Sequence, residues 1–302
     1  MASTQSARSK YTGHMSARLF RAGSTRRWRW LAFTSIALFT CIVTVPLGAQ
    51  FQQRGFGGRG FRNVRKATAE DFDGRFHFCR VVFGTDFRGD GGDWSVDYPR
   101  ADINLSIRLA ELTKTTVSRD GAGNPNHLLI QLTDPELFGC PFIMMTEVGS
   151  ASISANEAAQ LRLYLEKGGF LWADDFWGSY AWQWWVGQLR KALPADEFPI
   201  VDLTPDHALF RTLFEVKQTP QIPSIGFWAG SGGGTSERGT DSAVVHTRAV
   251  LDKHGRIMVL MTHDTDLGDS FEREGDDPQY FYTMSVPGYA FGIDALVYAL
   301  TH

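Results

Sequence analysis

Two adjacent carboxylates, Asp174 and Asp175, close a short apolar run in the stretch GGFLWADDFWG, and His263, Asp264 and Asp266 follow a second run, RIMVLMT. Both groups stand where a β-strand would end, and in an open α/β sheet ligands collect just beyond the carboxyl ends of the strands. Asp174 or Asp175 with His263 and Asp266 would supply oxygen and imidazole ligands to a divalent metal able to activate water. Without a metal, one carboxylate with His263 could serve as a general base, which requires only a tuned pKa. Asp93 and Trp94, with Asp86, Asp90 and Asp97, lie in the loop GTDFRGDGGDWSVD and join the candidate ligand contacts, as does Trp177 just past the aspartates. Structural uses compete with each role. An Asp after a strand often caps the next helix, as Asp175 could for a helix from about Gly178. A strand-end His is more often hydrogen-bonded structure than ligand, and acidic glycine-rich loops are more often solvated turns. The chain has no HExxH, nucleophile elbow, Walker loop or CxxC, so the expected metal site rests on convergence of these residues in space.

Strands and helices must position them. Phe76 to Phe83 (FHFCRVVF) reads as a continuous buried strand, and Tyr98-Pro99 opens an amphipathic helix through Leu112. Short strands are expected at Thr115–Val117 and His127–Leu132, either side of the turn residues 120–125. Phe142 to Thr146 is apolar; Ser154 and Glu157 then form a capping box for a helix that Gly168-Gly169 ends, before the strand Phe170 to Ala173. In the following helix Trp182 and Trp185 share a core face. Trp184 points away from it, covered by another segment or exposed to stack on a ligand. The glycine-rich stretch 230–239 is a surface insertion or a lid. Ala243–Leu251 and Arg256–Thr262 form a hairpin around the turn 252–255, and a final helix runs from about Gly288 to Leu300.

The charge distribution sets limits on partners and place. Twelve of the 30 basic residues and none of the 33 acidic ones precede Glu70, so the remainder carries 18 basic against 33 acidic residues. That balance argues against a nucleic-acid partner. Near the start, Arg26, Arg27 and Arg29 precede the apolar run Leu31 to Val45 and the small residues before Gln50. The pattern predicts a secretory signal cleaved after Ala49 or an uncleaved anchor over Trp28 to Ala49. Either way the protein is exported across the inner membrane, periplasmic or membrane-anchored, with membrane contact through this segment only. Gln50 to Ala69, rich in Gly and Arg, reads as a flexible tether. Cys79 and Cys140 could pair in an oxidising compartment, but each lies in or beside an apolar run, where buried free thiols are the commoner state.

Taken together, a capped helix, GGFLWADD, HALFRTLF and GRIMVLMTHD before a terminal helix resemble the class I glutamine-amidotransferase-like fold in its noncatalytic, trehalose-utilisation-like branches. DWSVDYPRADINL, YLEKGGFLWADDFWG and THDTDLGD look like motifs of an uncharacterised bacterial domain family of unknown function. In true amidotransferases the strand matching Phe170–Ala173 leads to a cysteine nucleophile. Here Asp174 and Asp175 stand at that elbow, while His263 with Asp264 or Asp266 falls near the family's His and acid. The resemblance therefore implies an inherited pocket without its attacking atom, and glutaminase chemistry by a Cys is not expected.

The expectation is an α/β fold, a mostly parallel sheet with helices on both faces, flavodoxin-like or class I glutamine-amidotransferase-like, with a late β-hairpin. Residues 1–49 are signal or anchor, 50–69 tether and 70–302 a single α/β domain. Its function is expected to be noncatalytic binding of a small molecule, carbohydrate or envelope protein through Asp93, Trp94, Asp174, Asp175, Trp177, His263, Asp264 and Asp266. The alternative is a metal-assisted hydrolase acting on a carbohydrate or amide. Candidate ligands for its divalent metal are Asp174, Asp175, His263 and Asp266.

Overall fold

The computed structural model describes residues 65–302; the signal or anchor segment and most of the tether stretch lie outside the described residues. In chain order the regular elements are β1 (Phe78–Val81), β2 (Gly84–Thr85), α1 (Arg100–Leu112), β3 (His127–Ile130), β4 (Phe142–Thr146), β5 (Ala151–Ser152), α2 (Ala155–Glu166), β6 (Phe170–Asp174) and α3 (Gly178–Ala192). They continue with β7 (Ile200–Asp202), α4 (Ile225–Ser231), β8 (His246–Leu251), β9 (Ile257–His263), α5 (Leu267–Glu272), α6 (Pro278–Tyr280) and α7 (Val286–Thr301). Among the described residues, no helix is long and apolar enough to cross a membrane.

The main sheet has seven strands in the order β3-β1-β4-β6-β9-β8-β7. β3, β1, β4, β6 and β9 run parallel; β8 returns antiparallel to β9, and β7 pairs antiparallel with β8, so the expected late hairpin is present. β2 and β5 form a separate small ribbon. This is an α/β fold with helices on both faces, consistent with a flavodoxin-like arrangement. Thr115–Val117 does not make a ladder: Val117 contributes only a single bridge to Phe76. Helix α5 begins within the acidic stretch THDTDLGD that runs on from β9, where Asp266 caps it by accepting from the Asp269 amide.

Side chains alternate across the strands and divide the core in two. One layer packs Val81, Ile143, Met145, Leu171, Ala173 and Met261 under α2 and α3, with Leu161, Leu165, Trp185 and Leu189 from those helices. The other packs Phe78, Phe142, Met144, Phe170, Trp172 and Leu260 under α1, α5 and α7, with Leu105, Leu109, Phe271, Phe291 and Leu296. Helix α2 carries the expected capping box, in which Ser154 and Glu157 satisfy each other's backbone amides. Trp182 is only partly buried against its layer, and Trp184 donates its indole N–H to the Ala151 carbonyl at 2.7 Å while Arg88 lies over its ring.

Two features reverse simple readings of β1. Cys79 and Cys140 form a disulfide, since pairing of β1 with β4 brings the start of one strand beside the entry to the other. Arg80 interrupts the apolar run, yet it is fully buried. Its guanidinium donates to Asp102 of α1 at 2.5 and 3.0 Å, and to the carbonyls of Trp94 and Val96 at 3.3 and 3.1 Å. Charge pairing on one side and carbonyl acceptors on the other satisfy the buried cation, and fix the 94–97 loop against the strand.

Candidate carboxylate basin at the strand ends

The parallel strands deliver acids at their carboxyl ends. β4 is followed by Glu147, β6 ends in Asp174 and continues to Asp175, and β9 is followed by Asp264 and Asp266. Glu147, Asp175 and Asp264 all hold left-handed backbone, with φ of 53°, 55° and 65°, and Asp97, just before α1, does the same at 62°. These four are the only non-glycine residues with positive φ among the described residues. The conformation disfavours side chains with a Cβ, and it reverses the chain abruptly so that each strand end turns over the edge of the sheet.

Asp97, Glu147, Asp174, Asp175, Asp266 and Asp269 gather in one basin. Asp174 lies on the α5 face of the sheet, accepting from Thr262 Oγ1 at 2.5 Å and from the Gly268 amide at 3.1 Å. Thr262 in turn accepts from the buried Trp172 indole at 2.8 Å. Asp175 accepts from the Trp177 indole at 3.0 Å, which places these two candidate ligand contacts side by side. It does not cap α3. Carboxylate oxygens of Asp97, Asp266 and Asp269 all lie within 4.8 Å of one another. Asp90 and Glu237 extend the acidic field toward Glu147, and Arg238 is the cation that acts on Asp90 and Glu147.

Packing against glycine makes this crowding possible. A Cβ on Gly268 would stand 2.2 Å from Asp97 Oδ2, and one on Gly92 would stand 2.0 Å from the Glu147 carboxyl carbon. Only glycine leaves room for the two carboxylates at these points.

Burial raises every acid of the basin above the ordinary carboxylate range, because removal from water disfavours the charged form. Asp97, Glu147, Asp175 and Asp266 are pushed well up, first by burial and then by one another's charge. Asp174 rises to about 7 by burial, although the hydrogen bonds from Thr262 and Gly268 pull the other way. Asp269 is also raised by burial, against the donors Ile225, Arg273 and Tyr280.

His263 and Asp264 do not join this basin, which corrects the expected convergence. In β9 the side chains of Thr262 and His263 alternate; Thr262 faces Asp174, so His263 faces α3. There it packs on Phe176 and Trp182, its Nε2 pairs with the Gly178 carbonyl at 3.0 Å, and Nδ1 lies 3.2 Å from both Arg248 and Asp264. Asp264 Oδ1 accepts the Gly178 amide at 2.7 Å, and Asp241 accepts the Ser179 amide at 2.9 Å. The start of α3 is thus tied down from the end of β9 and from the short turn 239–242 at the end of the glycine-rich stretch. Burial lowers His263 to about 4 and raises Asp264 to about 6.

Asp93 and Trp94 are also elsewhere. Asp93 accepts from the Ser95 amide and hydroxyl, a local turn, and Trp94 lines a separate cavity of about 340 Å³ with Tyr98, His127 and Leu129. Glu147 and Asp269 are basin residues absent from the candidates read in the sequence, Asp269 because it meets Asp97 and Asp266 only in the folded chain. The signal of Glu147 is present in FIMMTE: a lone acid directly after an apolar strand, as in FLWAD. The 230–239 stretch is anchored over this end of the sheet, Glu237 accepting the Ser224 amide at 2.7 Å and Thr235 bonding Gln221 at 2.8 Å.

The arrangement offers hard oxygen donors in a water-poor setting, suited to a cation or to proton transfer. No curated protein matches the sequence. Over residues 77–300, the greater part of its length, the sequence matches the domain of unknown function DUF4159, and the chain belongs to that family.

Proposed function

We propose that this chain is an exported cell-envelope protein whose α/β domain binds, without chemical conversion, a ligand that brings positive charge to the carboxylate basin. The observation that carries the reading is five buried acids, Asp97, Asp174, Asp175, Asp266 and Asp269, gathered with the half-buried Glu147 at the strand ends, each held above its ordinary pKa by removal from water. Such a cluster gains most from a positive partner, because every negative charge it holds is both desolvated and repelled. At the turn after β6 the chain presents Asp175, held by Trp177, where the amidotransferase-like pattern has a nucleophile. Export is supported by the Cys79–Cys140 disulfide, a bond that persists in oxidising compartments, together with the basic-then-apolar N-terminal sequence.

A second reading, metal-assisted hydrolysis of a carbohydrate or amide, draws on Asp174, whose value of about 7 suits a general base near neutral pH. Thermal-shift titration of the full chain with calcium, magnesium, manganese and spermidine tests the first reading, run beside hydrolysis assays on chromogenic glycosides and peptide amides. Stabilisation by a cationic probe that is lost in Asp175→Asn, with no turnover, is the expected result. Turnover abolished by Asp174→Asn would replace the binding module with the hydrolase. Mass spectrometry of the protein recovered from its own cells, showing an oxidised cysteine pair and either Gln50 or the uncut segment at the start, checks export.

A further inference from the structure

Resting on that reading, we propose that the floor of the basin is a binding site for one hard divalent cation of the calcium, magnesium or manganese class, held by Asp97, Asp266 and Asp269. Three observations point there. The first is spacing: ligand oxygens of these three residues lie within 4.8 Å of one another. Oxygens bonded to one such ion at about 2.0–2.6 Å cannot be much farther apart than twice that length. The second is an unmet polar group. Asp97 is 7% exposed, and its Oδ2 is buried without a hydrogen-bond partner, facing Gly268 and Asp266. A buried carboxylate oxygen left unpaired is costly, and the native protein would be expected to satisfy it.

The third is the donor chemistry and charge around the triad. Asp266 spends one oxygen on the Asp269 amide at 2.7 Å. Asp269 is oriented by the Ile225 amide at 2.6 Å, Tyr280 at 3.2 Å and Arg273 at 3.2 Å, fixing it as a ligand whose carboxylate cannot swing away. Arg80, the other nearby cation, is committed to Asp102. Arg273 is shared among Asp269, Glu272 and Asp276, so most of the triad's negative charge is left for a dication to offset. All three donors are oxygens, with no His or Cys, which selects against soft metals. The separate group His246, His263 and Asp264 is a poorer candidate, since Arg248 already donates toward His263 Nδ1.

The test is uptake by the full-length protein after chelator treatment and dialysis. Separate samples are titrated with calcium, magnesium and manganese, bound metal is counted by mass spectrometry, and affinity is measured by calorimetry. One equivalent of at least one ion should bind, with affinity reduced at least tenfold in Asp97→Asn and in Asp266→Asn and unchanged in His263→Gln. A second readout separates ligation from a structural role. Metal-free Asp97→Asn should melt above metal-free wild type, because repulsion is relieved, and should lose the further rise that the ion gives wild type. Folded wild type that takes up none of the three ions at millimolar concentration, or uptake insensitive to both variants, would overturn the site. If spermidine still stabilises wild type, and Asp175→Asn removes that effect, the cation-binding basin stands and only the metal assignment falls; if neither metal nor spermidine binds, both fall.

Discussion

The two faces of the sheet handle strand-end acids in opposite ways. On the α3 side, Asp264 receives a backbone amide and His263 is bonded on both nitrogens, so their polar atoms are used within the protein. On the α5 side, carboxylates confront one another and Asp97 keeps an oxygen without a partner. Side chains of similar chemistry, a few residues apart in THDTDLGD, therefore divide between holding the fold and awaiting a ligand. What separates the two sides is mutual repulsion and one oxygen left over: Asp174 and Asp269 are given donors on the α5 side too, but Asp97 Oδ2 is not.

The pH course of stability should expose the contrast most strongly. Asp174 binds its proton more tightly folded, at about 7, than unfolded, near 3.8. Its contribution is then fully present below about 4 and is lost as pH rises through 7, an effect on the order of a few kcal/mol. His263 behaves oppositely: its folded value of about 4 lies below the unfolded value of 6.5, so stability from this group grows as pH rises between them. Asp264, raised to about 6, opposes that growth and leaves the α3 side shallow. Urea unfolding of chelator-treated protein from pH 4 to 8 should show a net fall with rising pH. Asp174→Asn should flatten it, and His263→Gln should steepen it; the reverse pattern would break the comparison.

Charge removal at a paired site comes next. Arg80→Ala strands Asp102 in the core and frees the 94–97 loop, and a loss of about 3–5 kcal/mol is expected from chemical denaturation. Asp264→Ala removes the acceptor for the first amide of α3, with a smaller loss of about 1–2 kcal/mol. Asp175→Asn, on the opposing side, should raise the melting temperature of the metal-free protein by a few degrees. Were Asp175→Asn and Asp264→Ala to destabilise equally, the two faces would not differ in kind.

Much of the scaffold is legible in the sequence because period and punctuation coincide there: the Ser154–Glu157 box, Gly168-Gly169, and the 252–255 turn each mark an element that forms. The position of Asp174 and Asp175 at a strand end follows from the same pattern. Which face His263 takes does not, because it depends on register: Ala173 pairs with Met261, so Thr262 falls beside Asp174 and the next residue must point away. Asp97, Asp266 and Asp269 meet only through tertiary packing, and Arg80 hides within an otherwise apolar strand until its partner on α1 is known. The disulfide likewise needs the β1–β4 pairing, since the two cysteines are 61 residues apart.

The left-handed acids have an evolutionary consequence. At Glu147, Asp175, Asp264 and Asp97 the backbone would be more comfortable with glycine, by up to about 1–2 kcal/mol per position. Asp264 offsets this through the amide it holds, whereas Glu147 has burial and repulsion added to it. A library selected for heat resistance alone should accordingly accept glycine at Glu147 and reject it at Asp264. Selection for thermal robustness would then strip the basin of an acid that holds no backbone amide, Glu147, while keeping Asp174, Asp266 and Asp269, whose carboxylates hold the fold.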